Sequence, residues 1–106
     1  MTSSFRRYEI LLPLRFNDGS AVPDEFMGKV VLELRKQFGA VSSETNVIRG
    51  VWEYQDEVYR DDLVRVFLDV PDNEANRQFF TDYKTHLKER FGQIDIWMTT
   101  YPVEVI

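Results

Sequence analysis

The sequence predicts an α+β fold whose elements follow the order β-α-β-β-α-β. The main observation is a repeated phrase, LRKQFGAV at 34–41 and LKERFGQI at 87–94. In each copy a leucine and a phenylalanine four residues later form the last apolar turn of a helix. A basic residue offsets the negative helix end, and a glycine supplies the left-handed conformation that ends the helix. Two βαβ units of this kind predict the ferredoxin-like split βαβ, a four-stranded antiparallel sheet with two helices on one face.

The first half of the chain shows a strand, a turn and a helix. Residues 7–14, RYEILLPL, alternate between apolar and other side chains, which is typical of a strand. Asn17-Asp18-Gly19 predicts a turn, and Pro23 fits the first turn of a helix. An apolar stripe then predicts the buried side of that helix. The stripe contains Phe26, Met27, Val30, Val31, Leu34 and Phe38.

The middle of the chain predicts a β-hairpin. Residues 41–54 are rich in strand-favouring types, and Gly50 predicts a bulge or a close approach by a neighbouring backbone. QDE at 55–57 predicts the connection, and a further strand runs to Val70. Within it, RDD at 60–62 predicts a second bulge.

The last third of the chain predicts a second helix and the final strand. Asp72 is predicted as the N-cap of a helix over 73–91. The alternation in IDIWMTTY, 94–101, predicts the strand. It places Asp95, Trp97 and Tyr101 on the face opposite to Ile96.

The composition narrows the classes of function. A chain of 106 residues with 43% hydrophobic residues predicts a single globular domain over 1–106, with an ordered core at about 6–101. The net charge of −5 disfavours nucleic acid and membrane surfaces as partners. The lack of cysteine excludes disulfides and thiolate metal sites. We expect a cytoplasmic protein with no cofactor and no bound metal.

The predicted sheet has one face that the helices do not cover, hereafter the open face. Aromatic and apolar side chains mix there with charged ones, and a contiguous apolar patch usually marks a contact. In the second predicted strand either Trp52 or Arg49 is expected on this face, because apolar residues occur on both sides of that strand. The candidate ligand-binding residues on the face are Glu9, Arg65, Phe67, Asp95, Trp97 and Tyr101.

Other polar residues carry weaker signals. His86 is the single histidine and is expected at a helix flank, where a general base would still need a partner. The carboxylates of RDD, 60–62, are adjacent in a strand and point to opposite faces unless a bulge turns them. The oxygen-rich segment 69–76 lacks the glycine and spacing of a calcium loop. No phosphate-binding or nucleophile motif occurs. The catalytic residues, if there are any, are therefore unknown from the sequence.

Three short motifs resemble those of a group of small uncharacterised bacterial domains. They are FNDG at 16–19, KQFG at 36–39 and GVW at 50–52, within a stretch from about Tyr8 to Val70. The resemblance implies a ferredoxin-like α+β fold and brings no established activity with it.

These observations predict a non-catalytic binding or interaction module, a homodimer joined through the open face. A carboxyl-terminal tail folded over that face is an alternative to the dimer. The alternative function is a cofactor-independent enzyme, similar in fold to monooxygenases of the dimeric α+β barrel type. Such an enzyme would act on a small organic molecule in a pocket lined by Trp97, Arg65, Glu9 and Tyr101.

Overall fold

The computed structural model describes residues 4–106 and confirms the predicted order of elements. The elements are β1 (Phe5–Pro13), α1 (Asp24–Phe38), β2 (Ser42–Tyr54), β3 (Glu57–Pro71), α2 (Glu74–Phe91) and β4 (Met98–Val103). The strands form one antiparallel sheet in the order β2-β3-β1-β4. Within the described residues, neither helix has the length and apolar character needed to cross a bilayer.

The core lies between the two helices and one face of the sheet. Alternate residues of β1 and β3 are buried there, so the predicted inward face of both strands is confirmed. Phe80 of α2 stacks on Tyr8 of β1, with ring centroids 3.9 Å apart. The buried residues are Tyr8, Ile10, Leu12, Val30, Leu34, Val64, Val66, Leu68, Val70, Phe80, Tyr83, Leu87, Phe91 and Ile96.

The repeated phrases mark the two helix ends. Gly39 and Gly92 both have the left-handed conformation, with φ of 86° and 62°, and their N–H groups donate to carbonyls of the preceding turn. The predicted cap of α2 is wrong by one residue. Asn73 is the N-cap, and its side chain accepts a hydrogen bond from the Asn76 N–H at 2.8 Å. Asp72 instead pairs with Arg6 at 3.2 Å, which ties α2 to β1.

The β2–β3 hairpin differs from the prediction in the position of its irregularity. Between the pairs Glu44–Arg65 and Ile48–Leu63, β2 advances four residues where β3 advances two. Gly50 is regularly paired, and a side chain there would meet Leu63 Cδ1 at 3.2 Å, so the close neighbour is a side chain and not a backbone. The bulge predicted at 60–62 is also wrong, because the ladder is continuous there. The position of a bulge depends on the register between two strands, and the sequence of one strand alone does not determine that register.

The hairpin turn consists of Gln55 and Asp56, both with positive φ (51° and 65°). Two positive φ values in a two-residue loop describe a type I′ turn, for which Asn-Gly is the preferred pair.

We expect Asp56→Gly to raise the free energy of unfolding by about 0.5–1 kcal/mol, because glycine adopts this conformation without strain. Asp56→Ala should lower it by about 1 kcal/mol, since alanine resists the left-handed region. Thermal melts of the two variants check this pair. A lower melting temperature for Asp56→Gly would contradict the turn assignment.

The last strand begins later than predicted. Residues 94–97 are irregular, and β4 starts at Met98. Ile96 is nevertheless buried as expected, and the Trp97 carbonyl accepts from the Leu11 N–H at 3.0 Å. The carboxyl-terminal tail does not fold over the open face. Val105 is 60% exposed, and the side chain of Ile106 is fully exposed.

Candidate functional site

The open face is formed by the strand residues that point away from the helices. The register places Glu9 opposite both Phe67 and Thr99, and Leu11 opposite Arg65. Trp52 of β2 pairs with Tyr59 of β3 and therefore lies on the same face of the hairpin as Leu63, which is the open face. Arg49, paired with Asp62, lies on the other side. The ambiguity in β2 is thereby resolved in favour of Trp52.

Arg65 is the centre of a hydrogen-bonded group on the open face. Its guanidinium contacts the Glu9 carboxylate at 3.4 Å and also donates to Glu44. The Tyr101 hydroxyl donates to Glu9 at 2.9 Å. Glu44, Arg65, Glu9 and Tyr101 therefore form one continuous network across all four strands, hereafter the Arg65 network.

A second ion pair lies beside this network. Arg7 makes two hydrogen bonds to Asp69, at 2.8 and 3.0 Å. The ring of Phe67 lies between the two arginines, with guanidinium carbons 5.1 Å (Arg7) and 5.4 Å (Arg65) from its centroid. Cation–π contacts of this length add to the ion pairs and hold both guanidinium groups in place.

The pKa values on the open face follow from these pairs. The hydrogen bond to Glu44 raises the pKa of Arg65 and keeps it charged. The hydrogen bond from Arg7 lowers the pKa of Asp69 below the usual aspartate range. Arg65 and Asp69 are therefore both charged at neutral pH, and neither suits the role of a general acid or base.

A cleft opens at the end of the open face where the hairpin turns. Its volume is about 650 Å³. Trp52, Tyr54 and Trp97 contribute aromatic surface, and Leu11 and Leu63 contribute aliphatic surface. β2 and the segment 93–97 lie at opposite edges of the sheet, yet both line this one cleft. The volume is in the range of small-molecule pockets, about 300–1,000 Å³.

The polar groups of the cleft are arranged at two ends. At the hairpin end, the Trp52 indole N–H donates to Asp61 Oδ2 at 2.6 Å. At the α2 end, Lys84 pairs with Asp95 at 3.1 Å, and Lys88 lines the cleft nearby. The ion pairs formed within residues 4–106 do not include Asp61.

The predicted site residues fall into two groups. Glu9, Arg65, Phe67 and Tyr101 lie together at the centre of the open face. Trp97 lies apart from them in the cleft and is 64% exposed. Asp95 was expected on the open face, but it precedes β4 and pairs with Lys84 of α2 instead. The strand alternation was extended too far towards the amino terminus, which explains this error.

Glu44 and Asp61, which were not among the candidate ligand-binding residues, contribute to these sites, and so does Trp52, one of the two residues expected on the open face from the second strand. Glu44 is the nearest partner of Arg65, and only the register of β2 reveals it. Asp61 and Trp52 face each other across the hairpin, nine residues apart. Counting residue pairs back from the two-residue turn pairs Trp52 with Tyr59 and Gly50 with Asp61, which brings Trp52 and Asp61 to the same side of the hairpin. Within the described part of the chain, no group of three or more acidic or histidine side chains could hold a metal ion.

Comparisons with known proteins agree with the architecture. No family model matches the chain, and no curated protein sequence matches it. Among solved structures, a phage SAM lyase in complex with S-methyl-5'-thioadenosine has a TM-score of 0.61 and 16% identity, covering 99% of this chain and 92% of that one. CutA1 from Oryza sativa has a TM-score of 0.61 and 13% identity, over 99% and 84% of the two chains. The B. subtilis GlnK–ATP complex has a TM-score of 0.55 and 15% identity, over 97% of this chain and 84% of that one.

The fold is ferredoxin-like. At these identities the similarity shows the fold alone.

Proposed function

We propose that the protein is a non-catalytic, self-associating binding module, and that the open face is the contact between two copies. The observation behind this proposal is the pairing of charges on that face. Arg7 and Arg65 already hold carboxylate partners within the same chain. A second copy can therefore cover this part of the face without leaving either guanidinium unpaired, which reduces the cost of burying ionic groups.

The amount of exposed surface supports a second copy as the occupant. The chain exposes 7327 Å², whereas a compact monomer of its 12.6 kDa mass exposes about 6,200 Å². The excess is roughly 1,100 Å², and the exposed carboxyl-terminal residues account for part of it. It is comparable to the area of about 800 Å² that each partner buries in a stable interface. The radius of gyration, 14.6 Å, also exceeds the value of about 13 Å for a compact domain of this length.

Exposed apolar groups on and beside the open face add to this support. Trp97 and Tyr101 are 64% and 41% exposed, and aromatic side chains are enriched in interface cores.

Trp97→Glu tests the contact. We expect wild-type protein to sediment as a dimer at about 100 µM and the variant as a monomer, because a buried aromatic anchor of an interface typically contributes 2 kcal/mol or more, about 30-fold in affinity. At concentrations where the wild type is monomeric, the variant should unfold as the wild type does, since the Trp97 side chain is largely exposed; at about 100 µM it should be less stable, because it loses the stabilisation that association provides.

Leu32→Glu is the matched control for that experiment. Leu32 is 40% exposed on α1, on the opposite side of the sheet, and should not change the association state. The proposal fails if the wild type is monomeric at this concentration. It also fails if both variants associate as the wild type does.

The cleft supports a second function, the binding of a ring-bearing small molecule. Its volume and three aromatic side chains suit such a ligand. The solved neighbours named with ligands hold S-methyl-5'-thioadenosine and ATP, both of which contain an adenine ring. Glu9, Arg65 and Tyr101 bond to one another, so this candidate is a binding function with no reaction assigned.

The binding function can be tested by following the indole N–H signals of Trp52 and Trp97 by NMR during titration with ring-bearing small molecules. S-methyl-5'-thioadenosine is the first probe because a structural neighbour holds it. Movement of both indole signals supports the cleft. If ring-bearing probes bind without moving either signal, the cleft is not their site.

A further inference from the structure

The hairpin end of the cleft contains a carboxylate surrounded by aromatic groups. Asp61 is half-buried, and its Oδ2 accepts from the indole N–H of Trp52 at 2.6 Å. Trp52 stacks on Tyr59, with ring centroids 4.5 Å apart at 19°, and Tyr54 lies next to it at 6.4 Å. The neutral indole orients the carboxylate and brings no positive charge to it.

The cations near Asp61 in the sequence face away from it. Arg60 pairs with Val51 and Arg49 pairs with Asp62, so both project from the other side of the hairpin. Lys84 at the α2 end of the cleft is neutralised by Asp95. Lys88, also on α2, lines the cleft but forms no ion pair with Asp61 among the described residues. Asp61 is thus a partly desolvated anion without a counter-ion in the described chain.

We propose that the cleft selects a small organic cation, a substituted ammonium attached to an apolar ring. The ammonium would pair with Asp61 over the face of an aromatic side chain, and the ring would lie against Leu11, Leu63 and Trp97. Aromatic faces attract cations through their quadrupole, and a nearby carboxylate adds a charge-assisted hydrogen bond. The net charge of −5 favours approach of the same class of ligand. This proposal rests on the second candidate function, the binding of ring-bearing molecules in the cleft.

Three probes of nearly equal shape distinguish the contribution of the ligand's charge to binding from that of its ring. They are 2-phenylethylammonium, the neutral 2-phenylethanol and the anion 3-phenylpropionate. We expect the cation to bind about ten-fold tighter than the anion, with the alcohol between them, because one charge-assisted contact contributes on the order of 1–2 kcal/mol. Calorimetry gives the affinities, and NMR of the Trp52 and Trp97 indole N–H groups gives the location.

Asp61→Asn is the decisive variant. The asparagine oxygen still accepts the Trp52 indole N–H, so the hairpin keeps its geometry, but the preference for the cation should disappear. Asp62→Asn is the matched control. It removes the same charge one residue away, from the opposite side of the hairpin, and should leave the ten-fold preference unchanged.

The possible failures are distinguishable. Equal binding of all three probes at the indoles would overturn the cation proposal and leave the cleft as a ring-binding site. Absence of binding by every probe would overturn both. The cation proposal also fails if Asp61→Asn retains the preference. Titrations of the wild type below and above the concentration at which it associates separate both outcomes from the dimer, because Asp61 and Trp52 belong to one chain.

Discussion

Phe80→Ala is expected to lower the free energy of unfolding by about 3–5 kcal/mol, a large part of the stability of a domain of this size. The side chain is 1% exposed and stacks between Tyr8 of β1 and Phe38 of α1, at centroid distances of 3.9 and 5.3 Å. It therefore joins both helices to the central strand of the sheet. Its removal leaves a cavity that the surrounding rings cannot close without moving a helix.

Urea unfolding at 25 °C measures this effect, with Phe79→Ala as the control. Phe79 is the preceding residue of the same helix but is only half-buried. We expect its loss to cost less than half as much, about 1–2 kcal/mol, because less apolar area returns to water. Equal costs for the two variants would show that the inward face of α2 has been assigned incorrectly.

Glu33→Ala is expected to cost about 1–2 kcal/mol at pH 7. The Glu33 carboxylate accepts two hydrogen bonds from Arg90, at 2.6 and 3.0 Å, and one from the Tyr83 hydroxyl at 3.0 Å. These bonds tie the middle of α1 to α2. Hydrogen bonds to charged groups contribute about 1.5–3 kcal/mol, and partial exposure of the carboxylate to water reduces that figure.

The contribution of Glu33 should depend on pH in a defined direction. The Arg90 hydrogen bonds, with a further contribution from Tyr83, lower the pKa of Glu33 in the folded protein. The ionised form is therefore favoured by folding. The stabilisation is complete above the ordinary glutamate pKa of about 4.3 and is lost as the pH falls through the lower folded value.

Unfolding of wild type and Glu33→Ala between pH 7 and pH 3 measures this dependence. The difference between the two should narrow below about pH 4. Glu89→Gln, an exposed position on α2, should stay within about 0.5 kcal/mol of the wild type throughout. A difference between wild type and Glu33→Ala that stays constant down to pH 3 would contradict the ionic role of Glu33.

The architecture could be predicted because its signals are local. Each helix ends at a glycine that adopts positive φ, and β1 and β3 show their buried faces through alternation. The position of Asn73 as a cap was less accessible, because Asp72 and Asn73 are both good caps and only tertiary contacts decide between them. Arg6 binds Asp72 and leaves the cap to Asn73.

The candidate site was less predictable because it depends on pairing between distant strands. Arg65 could be placed on the open face by parity, but its partners Glu9 and Glu44 are fixed by the registers of two different strands. Asp95 was misplaced because alternation continues through residues that are not in the strand. Trp97 was expected beside Arg65 and lies in the cleft, a separation that follows from the late start of β4.

The pairing of β1 with β4 also determines when the sheet can be completed. The hydrogen bond between Tyr101 and Glu9 joins residues 92 positions apart, and β1 is the strand to which both β3 and β4 bind. β1 is therefore synthesised before β4 and can pair with it only after the residues between them have been made. Contacts this distant in sequence close slowly, because the entropy of a long loop is lost before the contact forms. Until β4 has been synthesised, one edge of β1 has no partner strand, and an unpaired strand edge can pair with another chain.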